Sequence, residues 1–249
     1  MKDTPLSKGF PQLFAGLATL SLSLILSSWI AAKAIGDFKQ ADNVLVVTGS
    51  AKRPIRSDYI VWRLSVSTQE AIAQSAYRNL DGQTKRLRAY LKEKQVPDEV
   101  ITSSAIETTA IPEVAANGRE TGQISAYRLT QRFEIRSPDV ERYTGLSRSA
   151  TELINEGLNL VSEPPQYLYT QLDKVRVEMV AEAAKDAKAR AEAIASSTGN
   201  RVGPVRGAKT GVFQITPRNS TDVSDYGIYD TTSLEKDITA VVSMTFGLD

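Results

Sequence analysis

Few residues in this chain have the chemistry to act on a substrate, and their spacing suits other work. Glu134, Asp139 and Glu141 lie close together in the sequence. An acid/base pair or a cation site needs carboxylates that converge. Here Glu134 falls in a strand-like run, and Asp139 and Glu141 open a helical pattern, where acids favour the positive end of the dipole. Ser103, Ser104 and Ser147 are candidate nucleophiles, but the chain contains no histidine to activate them. A Ser–Lys pair stays open, although so many serines and lysines make chance proximity common. There is no cysteine either, which removes thiol nucleophiles, disulfides and the usual zinc and haem ligands. An all-carboxylate metal site stays open. Gly199, Gly203 and Gly207 come after a helical stretch, whereas a phosphate cradle needs glycines ahead of a helix N-terminus. Tyr59, Trp62, Tyr127, Tyr143, Tyr167 and Tyr169 read as core or interface aromatics rather than a ligand cage. The expectation is no catalytic, cofactor-binding or metal-binding residue, no cofactor, and no enzyme.

The elements that hold these residues belong to a chain of 249 residues with a formal net charge of +1. That length allows one large domain or two small ones with a substantial core. Setting aside Lys2, Lys8 and Asp3 leaves the remainder neutral. No basic surface for nucleic acid is expected.

Residues 13–32, LFAGLATLSLSLILSSWIAA, carry no charge. At about 1.5 Å per residue such a helix spans roughly 30 Å, the hydrocarbon thickness of a bilayer. Trp29 sits near one end, at interface depth. Lysines balance on the two sides, so the free amino terminus tips the orientation toward N-terminus inside. Ala32-Lys33-Ala34 offers small residues at signal-peptidase spacing, but the apolar run is longer than a normal signal core. An uncleaved anchor is therefore favoured over a cleaved signal. Either one exports the remainder of the chain. The expected organisation is a short tail over 1–12, an anchor over 13–35, a linker over 36–43 and one domain over 44–249.

Within that domain, 44–52 begins as an apolar strand, and Arg53-Pro54-Ile55-Arg56 reads as a turn or break at a sheet edge. Residues 58–68 alternate with period two, Ile60, Trp62, Leu64 and Val66 on one face. Ser67 and Glu70 then suggest a capped helix to about Lys94, with Ile72, Ala76, Leu80, Leu87 and Leu91 inward. A strand over 100–114 turns at Asn117-Gly118-Arg119-Glu120 and returns over 123–136, where imperfect alternation suggests a twist or bulge. Ser137-Pro138-Asp139 reads as an N-cap followed by proline, opening a helix to about Glu156 that Gly157 closes. Residues 158–169 form a strand broken at Pro164-Pro165.

Residues 170–197 form the longest helical pattern of the domain. Its stripe is Leu172, Val175, Met179, Ala183, Ala187, Ala191 and Ile194, with Thr170 and Asp173 as a capping pair and Gly199-Asn200 as the stop. The alanines predict close approach to another backbone. The opposite face mixes both signs of charge and reads as solvated. A strand over 205–215, a mobile loop over 217–233 and a clean period-two strand over 237–248 complete the chain. The fold class is α+β: an antiparallel sheet with helices packed on one face, preceded by an N-terminal transmembrane helix.

VTGSAK, ISAYRLTQRFEIR, INEGLNLV, AEAAKDAKARAEAIASSTGNRVGPV and ITAVVSMTF occur in an order that resembles the SIMPL domain family over about residues 44–248. The most specific stretch is 181–205. The family's tyrosine-then-asparagine pairing is replaced here by Tyr127 then Leu129-Thr130. The resemblance implies an exported bacterial protein of mixed fold, similar to a periplasmic immunogenic protein. Some members look like ring- or channel-shaped oligomers, some are linked to oxidative-stress tolerance, and a distant animal member is named for associating with a signalling kinase. No catalytic residues are established for the family, so none carry over.

The resulting expectation is a single-pass inner-membrane protein with its C-terminal domain in the periplasm. It contacts lipid through the N-terminal helix, binds no nucleic acid and works as a homo-oligomer. Val61 beside Ile60 and Trp62, and Val241 beside Val242, suggest a second apolar sheet face for neighbouring copies to cover. The alternative is a binding or regulatory module for a membrane-protein partner or a small envelope ligand, with 217–233 as its recognition element.

Overall fold

Runs of period two become strands and stripes of period 3.6 become helices throughout residues 10–41 and 43–248, which the computed structural model describes; side chains are described for 14–32 and 43–248. Residues 1–9 of the expected tail lie outside the described residues. Helix α1 (Phe10–Ala41) runs through most of the stretch expected as a linker. Its segment Phe14–Ala32 is long and apolar enough to cross a bilayer, a test that a signal sequence also passes. The hydroxyls of Thr19, Ser21, Ser23 and Ser27 donate to carbonyls of Ala15, Leu17, Leu20 and Leu24 in the preceding turn. Polar groups satisfied within the helix tolerate a medium without water.

Next in chain order come β1 (Val44–Arg56), β2 (Tyr59–Glu70), α2 (Ala73–Glu93), β3 (Ile101–Ser103), β4 (Glu107–Val114), β5 (Glu120–Ser137), α3 (Val140–Ser149), β6 (Leu160–Ser162), β7 (Gln166–Leu168), α4 (Leu172–Ser197), β8 (Val202–Thr210), β9 (Gln214–Pro217), β10 (Ile228–Tyr229) and β11 (Glu235–Leu248). The fold is α+β, and nearly all the strand pairing is antiparallel; β9 with β10 is parallel. Among the described residues the strands form two sheets, of five and six strands. The chain divides into two compact units: one takes the chain up to Ser50, Glu182–Gly211 and the residues from Val242 on; the other takes Ala51–Ala181 and Val212–Val241.

In the first unit, β8 pairs with the second half of β11, with register shifts around Phe246. Val47, Ala191 and Phe246 form its apolar centre. The alanine face of α4 does meet a backbone closely. A Cβ added at Gly49 of β1 would lie 2.2 Å from the Ala183 carbonyl oxygen and 2.3 Å from the Ala187 nitrogen, so only glycine fits there. The Ser50 N–H donates to Asp186 at 2.8 Å beside this contact.

The second unit holds the larger core. Inward residues of β2 and β5 (Ile60, Trp62, Leu64, Val66, Phe133, Ile135) meet Leu80, Leu87 and Leu91 of α2 and Val140, Tyr143 and Leu146 of α3. Strand β2 pairs with β5 along eleven residues, Ile60 opposite Ser137 through Glu70 opposite Tyr127. Strands β6 and β7 take its other edge, separated by the expected proline break.

Several local expectations shift. Strand β1 continues through Pro54; it ends its sheet's strand order, where a missing N–H is tolerated. Ser67 and Glu70 lie in β2 rather than capping a helix, α2 begins after Ile72 with no side-chain cap, and Ile72 is exposed. The cap of α3 is Asp139, which accepts from the Arg142 N–H, while Ser137 accepts from the Asp139 N–H. Thr170 donates from its N–H and hydroxyl to the Asp58 carboxylate. On α4 the buried row ends at Ala195, and Ile194 is exposed.

Candidate functional site

The acidic and serine side chains that could do chemistry each have partners within the chain. Glu134 accepts from Arg63 and Arg136. The Arg136 hydrogen bond, helped by Arg63 against the effect of burial, holds the Glu134 carboxyl below its usual range, which makes it a weak base. Asp139 caps α3, and Glu141 pairs with Arg56 at 2.6 Å. Ser103 and Ser104 do share a cleft of about 260 Å³ with Glu134, Arg63 and Arg132. There Ser103 accepts from Arg88, while Ser104 donates to the Ala105 carbonyl and accepts from the Arg132 N–H. Ser147 donates to the Thr144 carbonyl. Among the described residues no group of three or more acidic side chains is placed to hold a metal ion. Gly199 ends the turn after α4, and Gly203 and Gly207 lie in β8. Trp62 and Tyr143 are core residues, and the Trp62 indole donates to Ser162 at 3.0 Å. Tyr59, Tyr127, Tyr167 and Tyr169 are half-buried.

Sequence reasoning missed a buried cation. Lys236 is 1 % exposed, and its ammonium donates to the carbonyls of Tyr167, at 2.6 Å, and Asp230. Burial lowers its pKa against the pull of Asp230. Its neighbour Asp237 is buried too and accepts from the Asn219 N–H and Lys52. Burial alone would raise the Asp237 carboxyl; those two donors outweigh it and hold the group low. The Asp230 carboxylate accepts from the Thr232 and Ser233 N–H groups. These contacts give 217–233, expected as a mobile loop, an internal frame that includes β10. A lysine just ahead of an apolar strand reads as solvated, so the sequence carries no signal for its burial.

Beyond α1, a two-stranded arm is exposed along most of its length. Strand β2 ends opposite Tyr127, so Glu120–Ala126 of β5 keeps β4 as its ladder partner. Every residue of β4 except Ile111 is exposed, as are the first six of β5. Val114 is 58 % and Ile124 50 % exposed. The turn is the expected one: Gly118 N–H donates to the Ala115 carbonyl, and Asn117 accepts from the Arg119 N–H. The bulge expected here lies where Pro112 meets Ile124. By contrast, Val61, expected on an uncovered second face, is buried within the chain itself, and Val241 is half-buried.

No curated protein matches this chain. Its sequence does match the SIMPL family, described as "Protein of unknown function (DUF541)", over residues 45–246. That span takes in every strand of both sheets, apart from the terminal residues of β1 and β11. The chain belongs to the SIMPL family.

Proposed function

We propose that this protein is a membrane-anchored envelope component that works by assembling with copies of itself and catalyses no reaction. The observation that carries this reading is the arm. Two strands exposed on both faces, each with a free edge over much of its length, form a ribbon of marginal stability alone and a template for another strand. Pro112 limits how much of β4 can pair, which favours a defined contact over open-ended aggregation. A head-to-tail contact through such an arm closes into a ring when the rotation permits. The apolar segment of α1 supports anchoring in the inner membrane, with the domain from residue 44 onward in the periplasm. Multiple anchors per ring would strengthen membrane retention. The resemblance to oligomeric, stress-linked members supports a role in envelope or oxidative-stress tolerance.

Full-length protein in detergent, sized by mass photometry, provides the test. A discrete oligomer is expected, and removal of residues 112–124 should collapse it to smaller species. The chain has no cysteine, so Thr109→Cys introduces a single thiol whose oxidation should crosslink copies in membranes. A full-length monomer at micromolar concentration would sink the assembly reading. A hydrolase screen with Ser103→Ala and Ser104→Ala controls addresses turnover; activity lost in either variant would make the protein an enzyme.

A further inference from the structure

A second concave surface lies where the segment after β8 meets 226–229, and its chemistry differs from that of the arm. The cavity measures about 320 Å³ and is lined by Arg176, Val212, Phe213, Tyr226, Ile228 and Tyr229, among others. Its size falls within the range of small-molecule sites, which combine apolar walls with few polar groups. Tyr226 is 97 % exposed and Tyr229 46 %. With Val212 exposed as well, the lip is a group of apolar and aromatic side chains rather than one stray residue, and such a patch beside a cavity is informative.

The walls are built in advance. Strand β10 pairs with β9, Ile228 opposite Gln214 and Tyr229 opposite Ile215. The Asp230 N–H donates to the Ile215 carbonyl at 2.9 Å, and the Gln214 amide donates to the Ser224 carbonyl at 2.6 Å. Gly227 has φ +86°, and a Cβ there would stand 2.9 Å from the Phe213 carbonyl oxygen. The turn therefore presses against the Phe213 backbone, and glycine alone permits it. Little ordering entropy remains for a ligand to overcome.

The single charged side chain in the lining is Arg176. Its guanidinium lies 5.7 Å from the Phe213 ring centroid. Its ion-pair partner, Asp173, stands 3.6 Å away and is fully exposed, a contact worth little in water. A planar guanidinium resting on an aromatic platform retains donors in a fork that matches a carboxylate. We infer that this cavity binds a small planar aromatic carboxylate, its ring against Phe213, Tyr226 and Tyr229 and its anionic end on Arg176. The lining supplies positive charge and no acidic side chain, so a cationic ligand is disfavoured. This site is independent of self-association.

The test pairs two probes of the same shape, 2-naphthoate and 2-naphthylmethanol, titrated onto full-length protein in lipid nanodiscs with empty discs as blank. A hydrogen bond to a charged group is worth about 1.5–3 kcal/mol, so the acid should bind at least about tenfold tighter than the alcohol. Arg176→Gln should erase that preference by weakening the acid far more than the alcohol, and Arg176→Lys should keep part of it. Tyr226→Ala should weaken both probes. Arg176 and Tyr226 are partly or wholly exposed, so these variants keep the fold, checked by circular dichroism. Equal affinity for both probes, no saturable binding, or a preference that survives Arg176→Gln would each overturn the proposal. So would Tyr226 being shielded from iodination in the full-length protein without probe, which would make the cavity a contact between copies.

Discussion

The contact of Gly49 with α4 and the β4–β5 arm are built from similarly small and β-prone residues, yet one is closed and the other open. At the first, Ala183, Ala187, Ala191 and Ala195 are fully buried and β1 approaches so closely that no Cβ fits at Gly49. At the second, two strands pair from Glu107 to Val114, interrupted by the bulge at Pro112, and bury almost nothing. Backbone pairing alone leaves a ribbon of marginal stability; burial of small side chains against a bare backbone makes the α4 contact rigid, because close-packed interiors resist even one added methylene. Substitutions at the first should therefore act on the fold, and substitutions at the second on association.

The largest effect is expected from Gly49→Val. Its Cβ alone would sit inside contact distance of three backbone atoms that cannot rotate away. Overpacking costs typically 1–3 kcal/mol, and backbone collisions place this variant at about 3 kcal/mol or beyond. Thermal unfolding by circular dichroism should show a large fall in Tm; an unchanged Tm would mean that β1 and α4 do not form a rigid contact. Ala187→Leu comes next, at about 1–3 kcal/mol, because Ala187 is fully buried but a leucine has flexible atoms that neighbours can partly accommodate.

How far the sequence can be read differs between the two places for a physical reason. The alanine stripe announces close approach, and its partner glycine is visible in VTGSAK, but nothing local joins residue 49 to residue 187. The last stripe position differs because the buried row keeps stepping by four, from Val175 through Met179 to Ala195, along an i±4 ridge. A final step of three after Ala191 points instead to the larger Ile194. In the arm, Gln123, Ile124 and Ser125 are all exposed, and a segment with no buried face has no reason to alternate, so the pattern blurs where β5 leaves the core at Ala126. Gly227 and Lys236 are opaque, since their constraints come from Phe213 and Tyr167, far along the chain. The sequence separates Ser103 and Ser104 from Glu134 by some thirty positions, and only the pairing of β3 with β5 brings all three into one cleft.

Asp186 sharpens the comparison through pH. The Ser50 N–H, and then Arg190, hold its carboxyl below the usual range. A depressed pKa in the folded state means stability that is present above the unfolded value and is lost as pH falls through the folded one. Acid should therefore loosen the α4 contact below about pH 4, and Asp186→Asn should flatten that limb of the Tm-against-pH profile. An identical acid limb in the variant would remove Asp186 from the account.

The smallest effect on the fold is expected where the effect on assembly is greatest. Val114 and Ile124 are exposed apolar residues on the arm, and a change to threonine keeps β-branching and strand propensity. Surface substitutions of this kind usually stay within about 0.5 kcal/mol, so Val114→Thr with Ile124→Thr should leave Tm almost unmoved. If the arm docks on another copy, the same double variant removes apolar contact from that interface alone, and the oligomer should shift to smaller species in detergent. A fall in Tm comparable with that of Gly49→Val, under conditions where the protein is monomeric, would show that the arm is packed within its own chain, and the contrast between a closed contact and an open arm would fail.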